Sequence, residues 1–144
     1  MRIVLGMTGA SGAIYGYALL RTLAELNAEL HMVMTRMGEQ VLKFECGVSK
    51  KQLKEYGKVW ANDNMFAPIA SGSFLIRGMV IIPCSMNTLG AIANGVGDTL
   101  LSRAASVQLK ERRRLIVVPR ETPLHLIHLR DQRYRYRRLL RPHV

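Results

Sequence analysis

Arg2-Ile3-Val4-Leu5-Gly6-Met7-Thr8-Gly9-Ala10-Ser11-Gly12-Ala13-Ile14-Tyr15-Gly16 is the stretch that decides the fold. Ile3, Val4 and Leu5 form an apolar run too short for a helix and suited to a buried strand. Gly6, Gly9 and Gly12 follow at three-residue spacing, with the hydroxyls of Thr8 and Ser11 between them. Ala13 to Leu26 then reads as a helix. A strand that passes through a small-residue turn into a helix start is suited to cradle phosphate. Glycines let the backbone approach, and free N–H groups at the helix start face the anion. The spacing differs from the G-x-G-x-x-G of dinucleotide sites. A tight turn without a ligand is the other reading of this stretch.

Outward from it, strand-like and helix-like segments alternate. Glu29 to Thr35 reads as a second strand, Arg36 to Cys46 as a helix, and Ser49 starts another short helix. Val59 to Asn64 is ambiguous, and Pro68 to Ser73 is a small-residue loop. Gly78 to Pro83 is apolar throughout, as the central strand of a parallel sheet is. Cys84-Ser85-Met86-Asn87-Thr88 leads into a helix containing Leu89 and Ile92. Asp98 to Arg112 reads as a longer helix capped near Asp98. Leu115 to Val118 is the next buried strand, and a helix begins at Leu124. This alternation predicts a three-layer α/β fold, a doubly wound parallel sheet of flavodoxin-like or Rossmann-like type. Ligands of such sheets bind at the carboxyl ends of the strands. Four strand ends there carry polar or small residues: Thr8 to Gly12, Thr35-Arg36, Cys84 to Thr88 and Arg120-Glu121-Thr122. They predict one anion-binding crevice.

The 144 residues fit one domain. No apolar run reaches the ~18 residues of a membrane span, and the chain enters a strand without a signal-peptide pattern, which predicts a cytoplasmic protein. Cys46 and Cys84 lie in no zinc or C-x-x-C spacing and read as reduced thiols. The formal charge of +11 suggests nucleic acid until it is located. Residues 130–144 hold six arginines against one acid, Asp131, and no recognition motif accompanies them. No nucleic-acid partner is predicted. His125 and His128 read as satisfied helix histidines rather than metal ligands, and Trp60, Met65 and Phe66 as core or subunit contacts.

The motifs Thr8-Gly9-Ala10-Ser11-Gly12-Ala13, Ala70-Ser71-Gly72-Ser73, Pro83-Cys84-Ser85-Met86-Asn87-Thr88-Leu89, Arg103-Ala104-Ala105, Leu109-Lys110-Glu111-Arg112-Arg113 and Pro119-Arg120-Glu121-Thr122-Pro123-Leu124 occur together and in order. In them the chain resembles the UbiX-type flavin prenyltransferases, also described as aromatic acid decarboxylases. The resemblance implies a flavodoxin-like homo-oligomer, typically a dodecamer, that binds FMN at subunit interfaces. It implies transfer of a dimethylallyl group from dimethylallyl phosphate to N5 and C6 of reduced FMN, without a metal. The prenylated flavin would serve a UbiD-type decarboxylase. By position, Gly9, Ala10, Ser11, Thr35, Ser85, Met86, Asn87, Thr88 and Arg120 would hold FMN. Ser11, Glu45, Lys110 and Arg120 would be catalytic, Glu45 handling a proton and Lys110 lying near the departing phosphate.

Those residue types suit the chemistry. Heterolysis of an allylic phosphate leaves negative charge on the leaving group, which Lys110 and Arg120 can stabilise as a metal does elsewhere. Glu45 can pass a proton through Ser11 if the two come within hydrogen-bond reach. After residue 130 the resemblance stops, and the arginine-rich sequence looks truncated or frameshifted. Two units follow: a flavoprotein domain, 1–130, and a basic divergent tail, 131–144, whose Tyr134 and Tyr136 match no family tyrosine. The flavin-contacting segments all precede the tail, so FMN binding is expected to survive better than prenyl transfer. An FMN-binding remnant without turnover is therefore one alternative. A flavin-dependent cysteine decarboxylase is another, although the helix from Ala13 lacks the histidine of that group. A short-chain dehydrogenase is opposed by the absence of a Tyr-x-x-x-Lys pair.

Overall fold

The computed structural model describes the backbone of residues 1–139 and the side chains of residues 1–132. Of the predicted tail, the side chains from residue 133 on, including those of Tyr134 and Tyr136, and all of residues 140–144 lie outside the described residues.

Five parallel strands form one sheet in the order β3-β2-β1-β4-β5. β1 (Arg2–Met7) pairs with β2 (Glu29–Met34) on one side and β4 (Gly78–Cys84) on the other. β3 (Lys58–Trp60) and β5 (Arg114–Pro119) are the edges. Of the ambiguous segment Val59 to Asn64, only Val59 and Trp60 are strand, in a short β3 paired to β2 through His31↔Lys58, Met32↔Val59 and Val33↔Trp60. The helices are α1 (Ala13–Glu25), α2 (Arg36–Cys46), α3 (Lys50–Leu53), α4 (Met86–Ala93), α5 (Leu100–Lys110) and α6 (Leu126–Leu139). A 3-10 turn occupies Pro68–Ala70. α6 runs through residue 130, where the two-unit reading places its boundary.

Alternation along the strands divides the core in two. Leu5 and Met7 of β1 join Leu20, Met32, Met34, Leu42 and Leu53 on the face covered by α1, α2 and α3. Val4 of the same strand joins Met79, Ile81, Leu100, Leu101 and Ala104 on the α4–α5 face. Neighbouring residues of a strand point to opposite faces, so the inner strands need apolar side chains at nearly every position. That is why their sequences read as unbroken apolar runs. β5 departs from the expectation of a buried strand. Leu115 and Val117 are buried, whereas Ile116 and Val118 are 49% and 38% exposed. Only one face of this edge strand is covered among the described residues.

The close fit of α1 to the sheet depends on Gly16. A Cβ built there would lie 2.4 Å from the carbonyl oxygen of Ile82 in β4. This contact aims the start of α1 at the carboxyl end of β4. The start of α5 is displaced by one residue from its expected cap at Asp98. Thr99 is the N-cap, its Oγ1 accepting from Ser102 N (3.3 Å) while Thr99 N donates to Ser102 Oγ (3.2 Å).

Candidate functional site

The carboxyl ends of β1 and β4 are joined through Thr8. Its buried hydroxyl donates to Pro83 O (2.9 Å) and accepts from Ser85 N (2.7 Å), and its N–H donates to Pro83 O (3.1 Å). The glycine turn and the Ser85 turn therefore form one rigid unit. Ser85 caps α4, its Oγ accepting from Thr88 N at 3.4 Å and donating to Thr88 Oγ1 at 3.1 Å. Thr35 caps α2 in the same way, accepting from Gly38 N at 3.0 Å. Arg120 is tied to the same edge by its N–H, which donates to Cys84 O (3.0 Å).

The glycine turn is not the open cradle that the sequence suggests. Gly6 lies within β1, and a Cβ on Gly9 would meet Met37 Cβ at 2.4 Å. Only Gly12 is left-handed, with φ 101° at the N-cap of α1. The helix start has no side-chain cap of its own. Glu45 supplies one from α2: Gly12 N donates to both carboxylate oxygens at 3.1 Å, and Ala13 N to Oε2 at 2.8 Å. An anion does occupy these N–H groups, and it is a protein side chain. The carboxylate is favourably placed against the positive end of the helix dipole.

Among the described residues, the candidates do not share one crevice: they line two clefts with no common lining residue. The larger, about 710 Å³, is lined by Thr35, Met86, Asn87 and Thr88 on the strand-end side. Thr99 and Ser102 of α5, with His125 and His128, face it from the other side. The smaller, about 370 Å³, holds Ser11, Gly12 and Arg120 with the apolar Tyr15, Ile82, Pro83 and Val118. The sequence-derived candidates thus divide: Thr35 and the α4 start line one cleft, Ser11 and Arg120 the other. Gly9 and Ala10 support the turn behind them, Ala10 being buried. Arg120 makes no ion pair among the described residues. Glu121 turns its carboxylate to accept from Thr122 N (3.1 Å) instead.

Lys110 is brought to neither cleft. It ends α5 beside Glu111, with which it pairs, and that charge holds the Glu111 carboxyl below the usual carboxylate range. The small-residue loop lies here too, pinned by Arg113 to Gly72 O (2.6 Å) and Phe74 O (3.1 Å) and by Arg103 Nε to Ala70 O (3.1 Å). This is the amino end of β5, and Arg120 follows its carboxyl end. Six residues at roughly 3.3 Å each put about 20 Å between them.

The sequence reading missed the far wall of the larger cleft. Asp98, Thr99, Ser102 and Asp131 line it. The Thr99-x-x-Ser102 spacing is a capping signal that would have placed the α5 start correctly. His125 and His128 stack with centroids 3.4 Å apart, and His128 Nδ1 is buried without a hydrogen-bond partner among the described residues. The expectation of satisfied helix histidines fails for that nitrogen. Phe66, 99% exposed, is not a core residue of this chain. Among the described residues no group of three or more His, Cys, Asp or Glu is arranged to hold a metal, and no helix is long and apolar enough to cross a membrane.

A doubly wound parallel sheet with capped helix starts and two clefts at its carboxyl edge defines a flavodoxin-like ligand-binding α/β protein. Comparison with known proteins narrows this class. The Flavoprotein family matches residues 1–130. The flavin prenyltransferase UbiX of Thauera aromatica is 49% identical over 131 residues, covering 90% of this chain and 68% of the relative. A crystal structure of AnUbiX (PadA1) in complex with FMN and dimethylallyl pyrophosphate superposes with a TM-score of 0.92 at 46% identity, covering 95% of this chain and 73% of that one. The dodecameric FMN-dependent UbiX-like decarboxylase from Escherichia coli O157:H7 superposes with a TM-score of 0.93 at 42% identity, covering 96% and 76%. The chain belongs to the Flavoprotein family and, within it, to the UbiX-type flavin prenyltransferases. It spans about two thirds of the length of the curated relatives it matches.

Proposed function

We propose that this chain binds FMN and acts, as an assembly of several copies, in transfer of a dimethylallyl group from dimethylallyl phosphate to reduced FMN. The product would be passed to a UbiD-type decarboxylase. The observation that carries this reading is the pair of clefts at one sheet edge, on a chain 49% identical to a flavin prenyltransferase.

The donor set fits a phosphorylated flavin. Glu45 takes the Gly12 and Ala13 N–H groups, so the α1 start is closed to phosphate. The α4 start, with Asn87, the Thr88 hydroxyl and the Thr35 side, remains to hold it, while Ser85 caps the helix behind them. Polar groups of the larger cleft suit a phosphate and ribityl chain, and the apolar walls beside Ser11 suit a ring or a prenyl group. When bound, reduced flavin supplies the nucleophilic N5 and C6 atoms.

The chain's own residues supply the rest. Arg120 sits at the rim of the apolar cleft, where a guanidinium can neutralise charge growing on a leaving phosphate. Glu45 is held by the amides of Gly12 and Ala13, the two residues after Ser11, and in this reading its carboxylate accepts or returns a proton through the Ser11 hydroxyl. Lys110 can serve this chemistry only in the cleft of a second copy, since about 20 Å of strand separates it from Arg120 in its own. The homo-oligomer is therefore part of the proposal, and cytoplasmic residence suits an enzyme of this kind.

A flavin-dependent cysteine decarboxylase is the weaker reading, because α1 contains no histidine. Anaerobic incubation with reduced FMN and dimethylallyl phosphate, followed by mass spectrometry of the extracted flavin, tests the proposal. A flavin heavier by one dimethylallyl group is expected. FMN recovered unchanged would refute transfer and leave binding alone.

A further inference from the structure

We propose that His31 is an acid-sensitive latch: adding a proton to its Nδ1 releases edge strand β3 and the 71–75 loop from the sheet. The inference stands apart from the enzymatic reading and uses none of its residues.

His31 lies in β2 with no solvent exposure. Its Nδ1 accepts the indole N–H of Trp60 in β3 at 3.0 Å, and its Nε2 faces Glu29 Oε1 at 3.1 Å. An indole nitrogen only donates, so Nδ1 must carry the lone pair and Nε2 the proton. The ring also stacks on Trp60 (centroids 5.9 Å, 15° between planes) and meets the edge of Phe74 at 5.1 Å. Phe74 in turn lies 4.2 Å under the guanidinium of Arg2, whose Nη1 donates to Leu75 O at 2.9 Å. One imidazole therefore touches the edge strand and the loop together.

A second proton on this ring would set two N–H donors head to head at Trp60 and place a cation in a dry site. The charged groups facing it are Glu29 from its own strand, Arg2 from β1 and Lys58 from β3. Glu29 favours the cation, but it is 48% solvent-exposed and shares the same Oε1 with Arg2 Nε at 3.0 Å. Burial outweighs it and pushes the His31 pKa down, with Lys58 and Arg2 acting in the same direction.

Besides this imidazole, β3 is held by short pairing, by partly buried Val59 and Trp60 packed on the core, and by the Asn62 contacts at its exit. Three residues pair it to β2, and it borders no second strand. Its exit segment reaches the larger cleft: Asn62 O accepts from Leu100 N at 2.7 Å and Asn62 Oδ1 from Leu101 N at 3.0 Å, and Leu101 lines that cleft. Acid loosening of β3 is thereby transmitted to the cap of α5.

The test is amide hydrogen exchange by mass spectrometry on the full chain at pH 7.5 and pH 5.0, corrected for intrinsic exchange. Peptides covering 58–62 and 71–76 are expected to exchange about tenfold faster at the lower pH, the factor that one pH unit of linked protonation gives. The central strands should not follow. His31→Gln keeps an acceptor for Trp60 without titrating, and it should abolish the acid response. An equal response in that variant, no local response in the wild type, or a uniform loosening of all segments would overturn the proposal. If the variant does not fold, imidazole NMR of the wild type decides. Onset of His31 protonation together with the local exchange supports the latch, and protonation without it refutes it.

Discussion

Glu45 shows how one side chain changes the reading of a motif. Both its oxygens accept N–H groups at the start of α1, which the sequence alone presents as an open anion cradle. Glu45→Ala should destabilise the chain by about 1 kcal/mol, the usual worth of a helix cap, and Glu45→Gln by less, because an amide oxygen still accepts. Urea unfolding at pH 7.5 measures both. Glu29 gives the pH dependence at this scale. Arg2 first, then His31, lowers its carboxyl pKa from 4.5 to about 2. The folded pKa is depressed, so its contribution to stability is present above about pH 4.5 and is lost as pH falls toward 2. His31 adds an earlier loss. Its depressed pKa means that stability falls once pH drops below the ordinary histidine value of 6.5. Unfolding free energies from pH 7.5 to 2 should show both phases; Glu29→Gln should remove the lower one and, by taking away the charge that favours the His31 cation, strengthen the upper one.

At the scale of elements, the contacts that aim α1 and α5 are local in chemistry and distant in sequence. Gly16→Ala would drive a methyl into the Ile82 carbonyl, 2.4 Å away. Backbone on one side and helix on the other leave no room to yield, so a loss of roughly 1–3 kcal/mol is expected, read as a lower midpoint in denaturant. Thr99→Ala removes the α5 cap and should cost about 1 kcal/mol, with faster amide exchange confined to the first turn of that helix. The sequence showed β1, β2 and β4 clearly, because strands buried on both faces are apolar at successive positions. β3 was not legible: three residues at a sheet edge carry no period. The starts of α5 and α6 were each placed early, by one and two residues, since Asp98 and Leu124 resemble helix beginnings until the neighbouring hydrogen bonds are seen.

For the whole molecule, the distance from Lys110 to Arg120 carries the main consequence. If Lys110 serves the cleft of another copy, Lys110→Ala and Arg120→Ala should each abolish transfer alone. Co-assembled, they should restore roughly a quarter of the sites, the fraction expected when two defects fall at random on different contributors to a shared site. No restoration in mixed assemblies, measured as prenylated flavin formed, would place both residues in one cleft or remove Lys110 from the chemistry.

The sequence by itself determined the doubly wound sheet and the family. Apolar periodicity follows from burial, and the small-residue motifs survive as contiguous words in the chain. It also indicated which strand ends carry polar groups. Only the tertiary structure decided how those groups are shared out. It divided one predicted crevice into two clefts, closed the α1 start with Glu45, placed Lys110 near the amino end of β5, away from Arg120, and joined His31 to Trp60. Each of these depends on residues far apart in the chain meeting at a particular distance. Local pattern records what a side chain can do, and packing sets which partner it meets.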